Sequence, residues 1–68
     1  MSDTIYKKIN LTGTSMVSIE DAVNNAIVKA NETVRNLRWF EVSEVRGSIS
    51  DDLEVQWQVT VELGFGLD

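Results

Sequence analysis

Side chains that commonly carry chemistry are scarce in this sequence. Histidine and cysteine are both absent. The chain therefore offers no imidazole base, no thiolate nucleophile and no imidazole or thiolate metal site. Its serines and threonines have no evident base beside them. Carboxylate pairs could be drawn from Glu41, Glu44, Glu54 and Glu62, and such pairs can do acid–base work. Charged residues on strand faces are, however, ordinarily solvated. Asp51 and Asp52 fall far short of a calcium-binding loop. The four glycines are scattered, so no loop is built to cradle phosphate. Neither a catalytic residue nor a metal ligand is assigned.

Flat and amide-bearing side chains say more. Trp57 lies in the apolar phase of a strongly alternating segment and reads as core. Trp39 is next to Phe40, and adjacent strand residues point to opposite faces. If Phe40 is inside, Trp39 faces away from the core of its own chain. Spacing alone favours an aromatic buried by a neighbouring copy; the other reading is a stacking plate for a flat ligand. Gln58 falls on the polar side of the alternation. A lone glutamine there is ordinarily solvated, but its amide offers both a donor and an acceptor. It could match a heteroaromatic edge carrying an N–H beside a C=O. Arg46 precedes Gly47; it reads either as a surface ion pair or as a phosphate contact.

Four elements must position these residues. The first is a strand from Ile5 to Leu11, with Ile5, Ile9 and Leu11 in one phase and Lys7 interrupting it. Thr12-Gly13-Thr14-Ser15 reads as the turn that ends it. A helix follows, capped by Ser18, with Glu20 and Asp21 in its first turn where the helix dipole favours negative charge. Ile19, Ala22, Val23, Ala26, Ile27, Ala30, Val34 and Leu37 make its apolar stripe. The alanines leave room for close packing on a sheet. The third element runs from Trp39 to Ile49. Phe40 and Val42 are in one phase and Val45 and Ile49 in the other, which predicts a bulge or bend near Ser43 to Arg46. After a turn at Ser50-Asp51-Asp52, the fourth element alternates without a break. Leu53, Val55, Trp57, Val59, Val61, Leu63 and Phe65 form its apolar set.

The order strand, helix, strand, strand predicts an α+β fold. One helix covers one face of three strands, so the other face and the edges stay open and invite pairing with another copy. Length agrees. For 68 residues, apolar burial contributes about 95 kcal/mol and chain ordering costs about 100 kcal/mol. Chains this short ordinarily need a staple. Disulfide and zinc are excluded, which leaves self-association. The net charge is −5, which argues against nucleic-acid binding. No apolar run is long enough to span a bilayer. Met1 to Asp3 are polar, unlike a signal peptide, so a cytoplasmic location is expected. Hydrophobic residues make up 43% of the chain, too many for a disordered one. No linker or repeat divides residues 1–68, which read as one domain.

The chain resembles the dodecin family of small flavin-binding proteins from Tyr6 to Leu67. Tyr6-Lys7-Lys8, Leu11 to Ser15, the helix from Ala22 to Thr33, Arg38-Trp39-Phe40-Glu41-Val42, Val45-Arg46-Gly47, Trp57-Gln58-Val59 and Gly64-Phe65 carry the likeness through their joint order. The resemblance implies a β-α-β-β fold: a three-stranded antiparallel sheet packed around one helix, twelve copies forming a hollow shell. It also implies flavins bound in pairs between symmetry-related tryptophans. On it, Trp39 is the stacking residue and Gln58 bonds the flavin's pyrimidine edge. Arg46 contacts the phosphate of FMN. A second arginine of some members falls on Gly66, which weakens the expectation of strong phosphate recognition. The implied role is storage of riboflavin, FMN or a related isoalloxazine and quenching of the photoexcited ligand, without turnover. The competing reading is a structural module that assembles through its sheet edges and binds no cofactor.

Overall fold

A computed structural model describes residues 3–67. Its elements follow the order β1 (Ile5–Ser15), α1 (Ile19–Asn31), β2 (Leu37–Ile49) and β3 (Val55–Leu67). The three strands form one antiparallel sheet in the order β1-β3-β2. The expected α+β, β-α-β-β architecture is present, with the last strand at its centre. No helix among the described residues is long and apolar enough to cross a membrane.

Strand β1 runs four residues further than its apolar phase suggests. Thr12 to Ser15 are not a turn; they continue the ladder, with Thr14 opposite Gln58 and Ser15 opposite Trp57. Gly13 serves a close approach instead. A Cβ there would strike the carbonyl oxygen of Ala22 and touch the side chain of Ala26. Backbone meets backbone where the helix crosses the strand, so the small-residue stripe does allow close packing. The chain reverses just beyond, at Ser15. The Ser15 hydroxyl donates to Asp21 Oδ2 at 2.6 Å and accepts from the backbone N–H of Val17 at 2.9 Å. Ser18 caps the helix as expected, its Oγ accepting from the Asp21 N–H at 3.0 Å.

The helix ends at Asn31, so Val34 and Leu37 of the expected stripe lie beyond it, and Leu37 opens β2. Ala22, Val23, Ala26 and Ala30 pack on Val59, Val61 and Leu63 to make the core, with Ile9, Leu11, Ile27 and Leu37 at its margin. Trp57 shares the phase of Val59 but is only half-buried, so it borders this core without belonging to it.

The expected bulge occurs where the phase slips, between Val42 and Glu44. It is what brings Phe40 and Val42 (opposite Leu63 and Val61) onto the same face as Val45 and Ile49 (opposite Val59 and Val55). The helix packs on β1 and β3 and, past Leu37, leaves β2 largely uncovered. Phe40, Val42, Val45 and Ile49 are therefore exposed on the face that elsewhere forms the core. The β2–β3 turn takes in Ser50 to Glu54, with the Leu53 N–H donating to Ser50 O at 2.8 Å. Leu53 turns in the left-handed region at φ 64°, so β3 begins at Val55 rather than at Leu53.

Candidate functional site

On the face opposite the helix, the ladder lines up Lys8, Asn10, Thr12 and Thr14 of β1 with Gly64, Glu62, Thr60 and Gln58 of β3. Beyond them lie Trp39, Glu41, Glu44 and Arg46 of β2. The surface is polar and partly compensated in charge. Lys8 Nζ stands 3.2 Å from Glu62 Oε1, which offsets the like charge of Glu41 directly opposite Glu62. The hydroxyls of Thr12 and Thr60 lie 2.8 Å apart. Among the described residues, no three acidic side chains gather as a metal site would require.

Trp39 stands on this face, across from Gly64, while Phe40 is on the other, across from Leu63. The two point apart as their adjacency requires, although Phe40, beyond the reach of the helix, is itself half exposed. The indole lies over Gly64: a Cβ on that glycine would fall among Cε2, Cζ2 and Cδ2 of the ring. One side of the ring is thus seated on strand β3. Trp39 as a residue keeps 40% exposure, so its own chain covers the indole only in part. Gly64 is the residue that sequence reasoning missed. Its signal was a glycine inside an otherwise unbroken strand, a pattern that marks close approach.

Gly64→Ala is accordingly expected to push the indole off its seat and to cost about 1–3 kcal/mol through overpacking. Near-UV circular dichroism should change while the far-UV spectrum holds. An unaltered near-UV spectrum and thermal midpoint would rule the seat out.

Gln58 and Arg46 face each other across β3 and β2. Arg46 Nε donates to Gln58 Oε1 at 2.8 Å, and Arg46 Nη1 reaches Glu44 Oε1 at 3.4 Å. Gln58 Nε2 donates to Gln56 Oε1 at 3.2 Å. The chain Glu44–Arg46–Gln58–Gln56 crosses the open face as one connected set. Arg46 thus makes the surface ion pair that the sequence allowed, with Glu44, and it also bonds Gln58, a partner the sequence did not indicate.

Arg46 and Gln58 are brought together; Trp39 is not brought to them within one chain. Gln58 and Gly64, on which Trp39 sits, are six positions apart on β3, or about 20 Å at a strand's rise per residue. A flat ligand of three fused rings does not span that gap. A ligand stacked on Trp39 of one copy can meet Gln58 only if a second copy supplies it.

The family model described as Dodecin matches residues 5–68. A curated dodecin from Thermus thermophilus is 44% identical over 64 residues, covering 94% of this chain and 93% of that one. The dodecin structure from Streptomyces davaonensis superposes with a TM-score of 0.91 at 43% identity, covering 98% of each chain. A calcium dodecin from Mycobacterium tuberculosis, described as calcium-chelating, superposes at 0.86 with 26% identity over 94% of this chain and 91% of that one. With a family model matched over nearly its whole length and close relatives in both sequence and fold, the chain belongs to the dodecin family.

Proposed function

We propose that this protein binds flavin, as riboflavin, FMN or a related isoalloxazine, holds it in store in the cytoplasm, and quenches its excited state without turnover. Residues 1–68 act as one domain of a hollow homododecamer. The observation that carries the reading is the indole of Trp39, seated on Gly64 and still partly exposed, on the same face as a held glutamine amide. An exposed aromatic plate suits a planar apolar ring system. A primary amide suits a ring edge with a donor beside an acceptor.

Because Trp39 and Gln58 of one chain lie too far apart for one ligand, the site is composed between copies, with the plate from one and the amide from another. Two such plates related by a twofold axis enclose a pair of ligands and keep water from both outer faces. The flavin supplies the photochemistry. The Trp39 indole, an electron-rich ring, would quench a flavin bound there by electron transfer and return. Arg46 adds a cation near the polar edge. Its Nε and Nη1 are engaged, and Nη2 makes no hydrogen bond among the described residues, so it is available to a phosphate.

Titrating the purified protein against riboflavin, FMN and lumichrome tests this. Flavin fluorescence should fall at micromolar protein with saturable stoichiometry, and Arg46→Ala should weaken FMN more than riboflavin. A purely structural module would leave the fluorescence of all three untouched, and that result would overturn the proposal. Equal losses for the two ligands would show that Arg46 does not read the phosphate.

A further inference from the structure

We infer that Arg46 is a positioning residue for the Gln58 amide, so that its contribution to flavin binding reaches ligands that carry no phosphate at all. The inference rests on the flavin reading above. Its ground is the hydrogen-bond set on the open face. A guanidinium has donors and no acceptor. The atom of Gln58 that faces Arg46 Nε at 2.8 Å must therefore be the oxygen. That contact decides which end of the amide points which way. The other end is taken up by Gln56, whose Oε1 accepts from Gln58 Nε2 at 3.2 Å. Glu44 in turn restrains Arg46 from its own strand at 3.4 Å.

The consequence for recognition follows from counting. A primary amide has two N–H donors and two acceptor lone pairs. One donor goes to Gln56 and one lone pair to Arg46. One donor and one lone pair remain, with their directions set. Without Arg46, only the 3.2 Å contact with Gln56 is left to hold the amide, and because Gln56 ends in an amide that can itself present a donor or an acceptor, that contact does not fix which end of Gln58 points which way. A ligand edge that needs the acceptor at one place and the donor at the other would then meet the correct arrangement only part of the time, and would bear the cost of ordering it. Arg46 thus pre-orders Gln58, and Glu44 keeps Arg46 at that task.

Lumiflavin is the probe that separates this role from phosphate reading, because it has neither ribityl chain nor phosphate. The assembled protein, Arg46→Ala, Gln58→Ala and the double variant are titrated with it. Arg46→Ala should weaken lumiflavin about two- to tenfold, the range of one neutral hydrogen bond. The double variant should bind no more weakly than Gln58→Ala, since Arg46 acts through that amide. Lumiflavin affinity unchanged in Arg46→Ala, or losses that multiply in the double variant, would overturn the inference. Crystal structures of the ligand-free parent and Arg46→Ala give a readout that needs no flavin. The Gln58 amide should leave its parental orientation in the variant; an amide that stays put would also overturn it. Should the parent fail to bind any flavin, the proposed function falls, while the crystal comparison still decides the role of Arg46.

Discussion

Trp39→Ala should abolish most flavin binding and leave any flavin that remains bound fluorescent. Stacking of a planar base on an aromatic plate contributes about 1–3 kcal/mol. A ligand pair enclosed by two copies of Trp39 loses both plates at once. The affinity should fall by at least about fivefold, and by about thirtyfold or more if the two losses combine. Gln58→Ala removes a neutral hydrogen bond of about 0.5–1.5 kcal/mol, so its effect is smaller and quenching survives it. The contrast between the two variants matters more than either number. On the proposed function, the plate would supply both affinity and the electron for quenching, and the amide orientation only. Trp57→Ala serves as the control. Trp57 lies on the helix-side face at the border of the core, so its loss should lower stability or impair assembly. Each variant is sized before titration. Normal assembly of Trp39→Ala, with binding and quenching like the parent's, would show that the site lies elsewhere.

A second large effect should follow from one charge on the bare side of β2. In the proposed assembly, twelve chains of 7.6 kDa would make a shell of about 91 kDa, and light scattering on a sizing column should report that mass. The helix packs on β1 and β3 and leaves most of β2 uncovered. Phe40, Val42, Val45 and Ile49 thus present an apolar strip that their own chain covers only in part. Val42 sits mid-strip, at the bulge. Covering it with another copy while it bears a carboxylate would strand a charge away from water, at a cost of several kcal/mol per site. Val42→Asp should therefore collapse the 91 kDa species to one to three chains. Because one copy alone barely balances its ordering cost, the thermal midpoint should fall with it. A parent that runs as one to three chains at micromolar concentration would refute the shell. A Val42→Asp variant that keeps the full mass would refute this strip as the interface.

Local pattern carried most of the architecture. The cap at Ser18, the alanine stripe and the unbroken alternation of Val55 to Phe65 each express a rule that acts over a few residues, and each is found in the fold. The bulge was also legible, because a change of phase within one strand has few other meanings. Thr12 to Ser15 misled because turn-forming types also serve elsewhere. Threonines suit the polar face of a sheet, and Gly13 is required by the helix above it, which no short window of sequence displays. The site was legible as residue types and not as an arrangement. Arg46 and Gln58 meet only through the register of β2 on β3, and Trp39 finds Gly64 the same way. The separation of Trp39 from Gln58 likewise needs a ladder to measure along. Pattern recognises which faces residues occupy, whereas distance between them depends on long-range pairing.

The central place of β3 also has a bearing on how the chain reaches its native state. Strands β1 and β2 are the two edges, and both make their ladders with β3 alone. Until β3 has left the ribosome, neither has a strand to pair with, and the apolar side of α1 has only β1 beneath it. The hairpin of β2 and β3 closes over a short loop and can form quickly. The rungs from Ser15–Trp57 out to Ile5–Leu67 bring together residues separated by most of the sequence and must overcome a larger loop-closure entropy first. A nascent chain therefore exposes the valines of β3 and the bare side of β2 together for the interval before β1 docks. Synthesis of many copies at once would give those surfaces to one another during that interval, so correct assembly and aggregation would compete for the same short-lived species.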